Sequence, residues 1–78
     1  MKVVYKNEDG VIRMREFTKP FTEGRKLFGG YEGVPEYKTL IHEYATAEEA
    51  ESALVKMFQK SKEKDYKCIN VFVDGSIS

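Results

Sequence analysis

Apolar and polar residues alternate in two early runs. Lys2 to Lys6 and Val11 to Phe17 are rich in strand formers and flank Asn7-Glu8-Asp9-Gly10, a turn cluster ending in Asp-Gly. The pattern predicts a β-hairpin. A two-residue loop at Asp9-Gly10 would set Lys6 opposite Arg13 and Val3 opposite Glu16, whereas a four-residue loop at 7–10 pairs Tyr5 with Ile12 and Val3 with Met14. The four-residue loop fits better. It gathers Val3, Tyr5, Ile12 and Met14 on one face and leaves Lys2, Val4, Lys6, Val11, Arg13, Arg15 and Phe17 on the other.

Residues 18–36 hold both prolines and four of the six glycines, which predicts a long loop. It also holds Phe21, Leu27, Phe28, Tyr31 and Val34, too many apolar groups for a solvated linker, so it is expected to fold back over the edge of the core. There is room in it for one helical turn or a short strand near 25–28. Tyr37 to Tyr44 reads as a third strand, with Leu40 and Ile41 pointing to opposite sides and either able to serve as the core residue.

Thr46-Ala47-Glu48-Glu49 is a capping box, and a helix from 47 to about 62 follows it. Ala47, Ala50, Ala53, Leu54, Met57, Phe58 and Ser61 share one arc at helical spacing, while Val55 falls among polar residues. Acids crowd the first turn and lysines the last, as the helix dipole favours. After Lys62 to Lys67 the chain alternates again over Cys68 to Val73 and stops at Asp74-Gly75, a last strand. Ile69, Val71 and Val73 are expected to meet the helix, with Cys68, Asn70 and Phe72 on the far side. The fold class is α+β in one domain over 1–78, ordered β-β-(long loop)-β-α-β, with one helix packed on a mostly antiparallel sheet. Were the third and fourth strands adjacent and parallel, the helix would form a right-handed crossover between them.

Seventy-eight residues, 41% hydrophobic and 33% charged, leave room for one core and little apolar material for a deep pocket. No stretch approaches the ~20 apolar residues that span a bilayer, and the start lacks the apolar run of a signal peptide. No membrane partner is expected. Cys68 is alone, so no disulfide or thiol pair for zinc can form within the chain, and a cytoplasmic, reducing setting is the expectation. His42 is the single histidine, and no HExxH, Gly-rich phosphate loop or GxSxG elbow occurs. The sequence therefore assigns no catalytic, cofactor-binding or metal-binding residue, and reads His42 and Cys68 as structural. It predicts a protein that is not an enzyme.

Thirteen bases balance thirteen acids, but the order is uneven: residues 1–30 carry seven bases and four acids, 31–55 one and six, 56–78 five and three. On the hairpin as paired above, Lys2, Lys6, Arg13 and Arg15 share a face with Phe17, joining cations to an aromatic ring. Within 24–33, Arg25, Lys26, Phe28 and Tyr31 sit among glycines whose spacing matches no phosphate-binding motif, which favours a partner-binding loop. These nine residues form the candidate partner surface. Tyr44 to Leu54 resembles the strand-to-helix passage of RNA-recognition-motif domains over about eleven residues, a likeness any strand followed by a capped helix shares. The aromatic Gly-Phe strand motif of that family has no counterpart here. The β-β-β-α outline is also similar to the arm-binding domains of phage-type integrases.

The reading that follows is a small non-enzymatic binding module that contacts an acidic protein surface and acts as a regulator or inhibitor. In size and composition it resembles an accessory protein of a phage or mobile element. The alternative is a nucleic-acid-binding module using the basic and aromatic face, although zero net charge weakens attraction to phosphate. A homodimer is a further expectation, from the opposed charge of the segments and from unpaired strand edges.

Overall fold

A computed structural model describes the chain from Met1 to Ser78. Its elements are β1 (Lys2–Lys6), β2 (Ile12–Glu16), β3 (Phe21–Glu23), β4 (Lys26–Tyr31), β5 (Val34–Glu43), α1 (Ala47–Ser61) and β6 (Ile69–Asn70). They form two three-stranded sheets, ordered β2-β1-β6 and β3-β4-β5, with all neighbours antiparallel except β1 and β6. The class is the α+β predicted from the pattern. Val3, Tyr5, Ile69 and Val71 of the first sheet, Leu27 and Ile41 of the second, and Ala50, Ala53 and Met57 of α1 meet in one core with Phe17 and Tyr44.

The helix follows its sequence signals except at Phe58, which the periodicity set on the apolar arc and which is 42% exposed. Thr46 is extended, and its hydroxyl accepts from the Glu49 N–H at 3.1 Å, satisfying one of the donors a helix start leaves free. Ala50 and Ala53 sit on the buried arc, where small side chains let the helix axis approach the sheets; Val55 is exposed as its position implied.

The hairpin differs from its expected register by one residue. Lys6 pairs with Ile12, Tyr5 with Arg13, Val4 with Met14 and Val3 with Arg15. The cause is the turn. Asn7 Oδ1 accepts from the Asp9 and Val11 N–H groups at 3.0 and 2.9 Å, the Asn7 N–H donates to Val11 O at 2.9 Å, and Gly10 takes φ 77°. Asn7 and Val11 thus close a loop of Glu8, Asp9 and Gly10, the three-residue form with glycine at its left-handed position. A slip of one residue sends every side chain of a strand to the opposite face. Ile12 and Met14 therefore lie outside with Val4, while Arg13, Arg15 and Phe17 share the side of Val3 and Tyr5.

Residues 18–36 are not a loop but carry a hairpin. β3 pairs with β4 through a turn at Gly24-Arg25, and β4 with β5 through a turn at Glu32-Gly33, with Gly24 and Gly33 at φ 59° and 80°. Two of the glycines read as breakers instead lie inside β4, where bare backbone is what the packing needs. The Phe17 ring lies on Gly29 so closely that a Cβ there would stand 2.5 Å from it. Of the pair left open in the third strand, Ile41 is the buried one; the β4–β5 register shifts beside Leu27 and Phe28, and Ile41 falls in that irregularity.

The last strand is short and lies beside β1, not β5, so α1 is no crossover between adjacent strands. Ile69 and Val71 are buried as expected. Val73 is not, because the chain turns at Phe72 to Gly75 and returns along β6, with Asn70 and Ser78 exchanging backbone hydrogen bonds of 2.8 and 2.9 Å.

The Phe17–Gly29 contact predicts an unequal pair of variants. Gly29→Ala is expected to lower stability by about 3 kcal/mol, since neither β4 nor the enclosed ring can move aside freely. Adding Phe17→Leu should recover part of that loss, a non-additivity that urea midpoints of the two single variants and the double variant would reveal.

Candidate functional site

The structure does not bring the nine sequence-derived candidates together. Lys2 and Lys6 project from the outer face of β1, on the side of Val4, Ile12 and Met14. Arg13 and Arg15 occupy inner-side positions of β2 but lie beyond the core, and Arg15 Nη1 donates to the Tyr37 hydroxyl at 3.3 Å. Phe17 is 0% exposed, so no partner can reach it, and the basic and aromatic face expected from the sequence does not form. Arg25 forms an ion pair with Glu43 at 2.9 Å across the second sheet, and Lys26 stands opposite both Glu23 and Glu43. Phe28 is buried against Phe21, ring centroids 5.5 Å apart, with Lys38 Nζ 4.8 Å above it. Tyr31 bridges inside and outside, 6.0 Å from Phe17 and 4.9 Å from Tyr37.

Two surfaces emerge in their stead. The first is the outer face of the β2-β1-β6 sheet. Val4 and Met14 face each other there, Ile12 is 71% exposed, Met14 63%, Phe72 49% and Val73 70%. A shallow depression of about 250 Å³ runs between Val4, Ile12, Phe72 and Val73 with Lys6 at its margin. The sequence concealed this face because Ile12 and Met14 look like core residues; Asn7 with Gly10 was the available signal for the turn that turns them outward.

The second is a groove of about 530 Å³ at the far end of the other sheet, lined by Lys19, Phe21, Tyr31, Pro35 and Tyr37. Gly30 forms its floor, where a Cβ would come within 3.1 Å of the Phe21 ring and of Tyr37 O. Of its residues only Tyr31 was among the sequence candidates.

Charge is organised around these surfaces. The three ion pairs are Arg25–Glu43, Lys38–Glu23 and Lys60–Glu63, all away from the β2-β1-β6 sheet. Lys2 and Lys6 therefore border the apolar outer face without an ion pair, with Glu16 opposite Lys2 in the register, and Arg13 is likewise unpaired on the other side of β2.

The remaining polar chemistry gathers where the C-terminal turn meets β5. The His42 and Tyr44 rings meet edge to face at 4.6 Å, and the Tyr44 hydroxyl donates to Gly75 O at 2.7 Å. Gly75, at φ 87°, has no space for a side chain: a Cβ would lie 2.6 Å from Tyr44. Asp74 accepts from the Ser76 hydroxyl and N–H at 2.7 and 3.0 Å, which holds its carboxyl below the ordinary range. Burial, with the nearby charges of Asp74 and Glu49, pushes the Tyr44 phenol up to about 12. This is a clamp on the returning chain. Cys68 is half-buried and unpaired, and no three His, Cys, Asp or Glu side chains stand together as metal ligands. No helix is long and apolar enough to cross a membrane.

Comparison of the chain with protein families, with curated proteins and with solved structures finds no match.

The clamp predicts an alkaline weakness. Because Tyr44 titrates at about 12 when folded against 10.0 ordinarily, the stabilisation from its neutral form is complete below pH 10 and lost as pH rises towards 12. Tyr44→Phe should be about 1 kcal/mol less stable than the parent at neutral pH, from loss of the bond to Gly75 O. That gap should shrink through the alkaline range in denaturation curves taken at stepped pH.

Proposed function

We propose that this chain is a non-enzymatic protein-binding module that regulates or inhibits its partner by covering an acidic and apolar surface. The observation that carries the reading is the outer face of the β2-β1-β6 sheet, where Ile12, Met14, Phe72 and Val73 are open to solvent. A chain of this size needs most of its large apolar residues inside, and a contiguous exposed apolar face rimmed by polar groups is a common mark of an interaction site. Lys2 and Lys6, free of ion-pair partners, border that face with positive charge, Arg13 adds to it from the other side of β2, and together they favour carboxylates on what it meets.

Nucleic acid is the second reading, favoured by Phe72, an exposed ring on the same face as Lys2 and Lys6 and able to take the stacking role that Phe17 cannot. It ranks below the first because the face is chiefly aliphatic and the net charge is zero.

Pull-down from a native lysate with and without nuclease, comparing the parent with Ile12→Glu/Met14→Glu, separates these readings. Exposed strand positions tolerate such changes within about 0.5 kcal/mol, so the variant should stay folded. The expected result is a protein retained after nuclease treatment and bound at least about tenfold more weakly by the variant. Retention equal for both chains, or recovery of nucleic acid with all proteins lost on digestion, would overturn it.

A further inference from the structure

The outer face ends in a strand edge, and the hydrogen-bond phase of that edge can be read directly. Antiparallel ladders alternate between residue pairs that exchange both backbone bonds and pairs that exchange none. At one end of the β1–β2 ladder Phe17 N–H donates to Met1 O at 2.7 Å and Met1 N to Phe17 O at 2.6 Å; at the other, Asn7 N–H donates to Val11 O at 2.9 Å. Along the register between them, Val3–Arg15 and Tyr5–Arg13 are then the bonded pairs. The N–H and C=O groups of Ile12, Met14 and Glu16 consequently point away from β1, and no strand lies on that side.

The other lateral edges of the two sheets are closed or broken. The outer edge of β6 is taken by the C-terminal residues, through Asn70–Ser78 and the Val71–Ile77 bridge. β3 has three residues, and β5 carries Pro35 and two register shifts along β4. Such features discourage strand addition. β2 has five residues, neither proline nor bulge, and is exposed along its length.

A second copy of the chain fits this edge badly. If two β2 strands paired antiparallel through their outward groups with at least three residues of each strand matched, the two-fold axis would pass at Arg13, Met14 or Arg15. The first sets Arg13 opposite its own copy, the second sets Arg13 opposite Arg15, and the third sets Arg15 opposite its own copy. Each clash falls in a non-bonded pair, where side chains approach most closely. What repels a copy attracts carboxylates.

We propose that the partner adds a strand to the β2 edge, through a segment in which acidic and apolar residues alternate. Its acidic side chains stand beside Arg13 and Arg15, and its apolar ones extend the outer face beside Ile12 and Met14. Opposite Glu16 it carries a base. The inference rests on the protein-binding reading above and specifies its mode, in which main-chain bonds supply affinity and alternate side chains supply selectivity.

The probe is the capped peptide Lys-Glu-Val-Glu-Val, written in the order that lies antiparallel to β2 from Glu16 to Ile12. It is titrated into the labelled full chain and followed by backbone amide NMR and hydrogen exchange. Lys-Val-Val-Glu-Glu breaks the alternation at equal composition, and Glu-Lys-Val-Lys-Val reverses the charge. The first peptide should slow exchange at the Ile12, Met14 and Glu16 amides and bind at least about fivefold more tightly than either control. Met14→Pro removes an outward N–H and leaves the β1 ladder bonded, so it should abolish the response while the spectrum stays folded. Arg13→Glu/Arg15→Glu should transfer the preference to the charge-reversed peptide. Equal binding of the peptides, protection at other amides, or no response of the parent at millimolar peptide would overturn the proposal. So would a sedimentation mass of a dimer with those three amides protected. With the protein captured in the pull-down, unchanged binding to Met14→Pro together with lost binding to Ile12→Glu/Met14→Glu would remove strand addition and leave the binding-module reading standing; binding unchanged in both would remove both.

Discussion

The seat of Phe17 on Gly29 governs more of this structure than any other contact. It joins the segment after β2 to the middle of β4, and so ties one sheet to the other across the core. Its reach extends to the surface through the parity of a strand. Phe17 can face the core only if Arg15 and Arg13 lie on the same side of the hairpin, and Ile12 and Met14 must then point out. The exposed apolar face is thus a consequence of burying one ring on one bare stretch of backbone. The Asn7–Gly10 turn supplies the loop length that this parity demands, so local and tertiary preferences agree.

That coupling also explains what could be read from the residues and what could not. The helix was legible because its signals are local: Thr46 caps its first turn and the apolar arc repeats at helical spacing. Ile69 and Val71 were legible for the same reason. The register of the hairpin was not, since Ile12 and Met14 look like core residues, whereas Phe17, three residues beyond Met14, takes the inside from both. Nor could β4 be recognised by composition. Gly29 and Gly30 look like breakers until the rings of Phe17 and Phe21 are placed against them, and only the folded chain supplies those rings. Of the candidate residues, the cations Lys2, Lys6, Arg13 and Arg15 lie on accessible surface as expected, while the aromatic residues assigned to work beside them, Phe17 and Phe28, belong to the packing.

The aromatic residues nevertheless form a connected series. Tyr5, Phe17, Tyr31 and Tyr37 follow one another at centroid separations of 6.3, 6.0 and 4.9 Å, running from the centre of the first sheet to the surface of the second. In so small a chain, rings fill the space between two sheets with few residues, each adding large buried area. The series ends at the Tyr37 hydroxyl, which accepts from Arg15, so a residue of the open β2 edge is anchored to the second sheet.

The arginines of β2 then serve two ends by the same electrostatics. An outer strand with unpaired backbone groups and apolar residues on one face invites pairing with its own copies, and positive side chains along it oppose that association. Opposition to copies does not close the edge to everything. It raises the cost of any neighbour with like charge and lowers it for one whose acids fall at the matching period of two. Selectivity of this kind arises from a repulsive element as much as from an attractive one. Carboxylates elsewhere in the chain could have neutralised these groups, yet the ion pairs are made by Arg25, Lys38 and Lys60, leaving the arginines of β2 without a carboxylate partner.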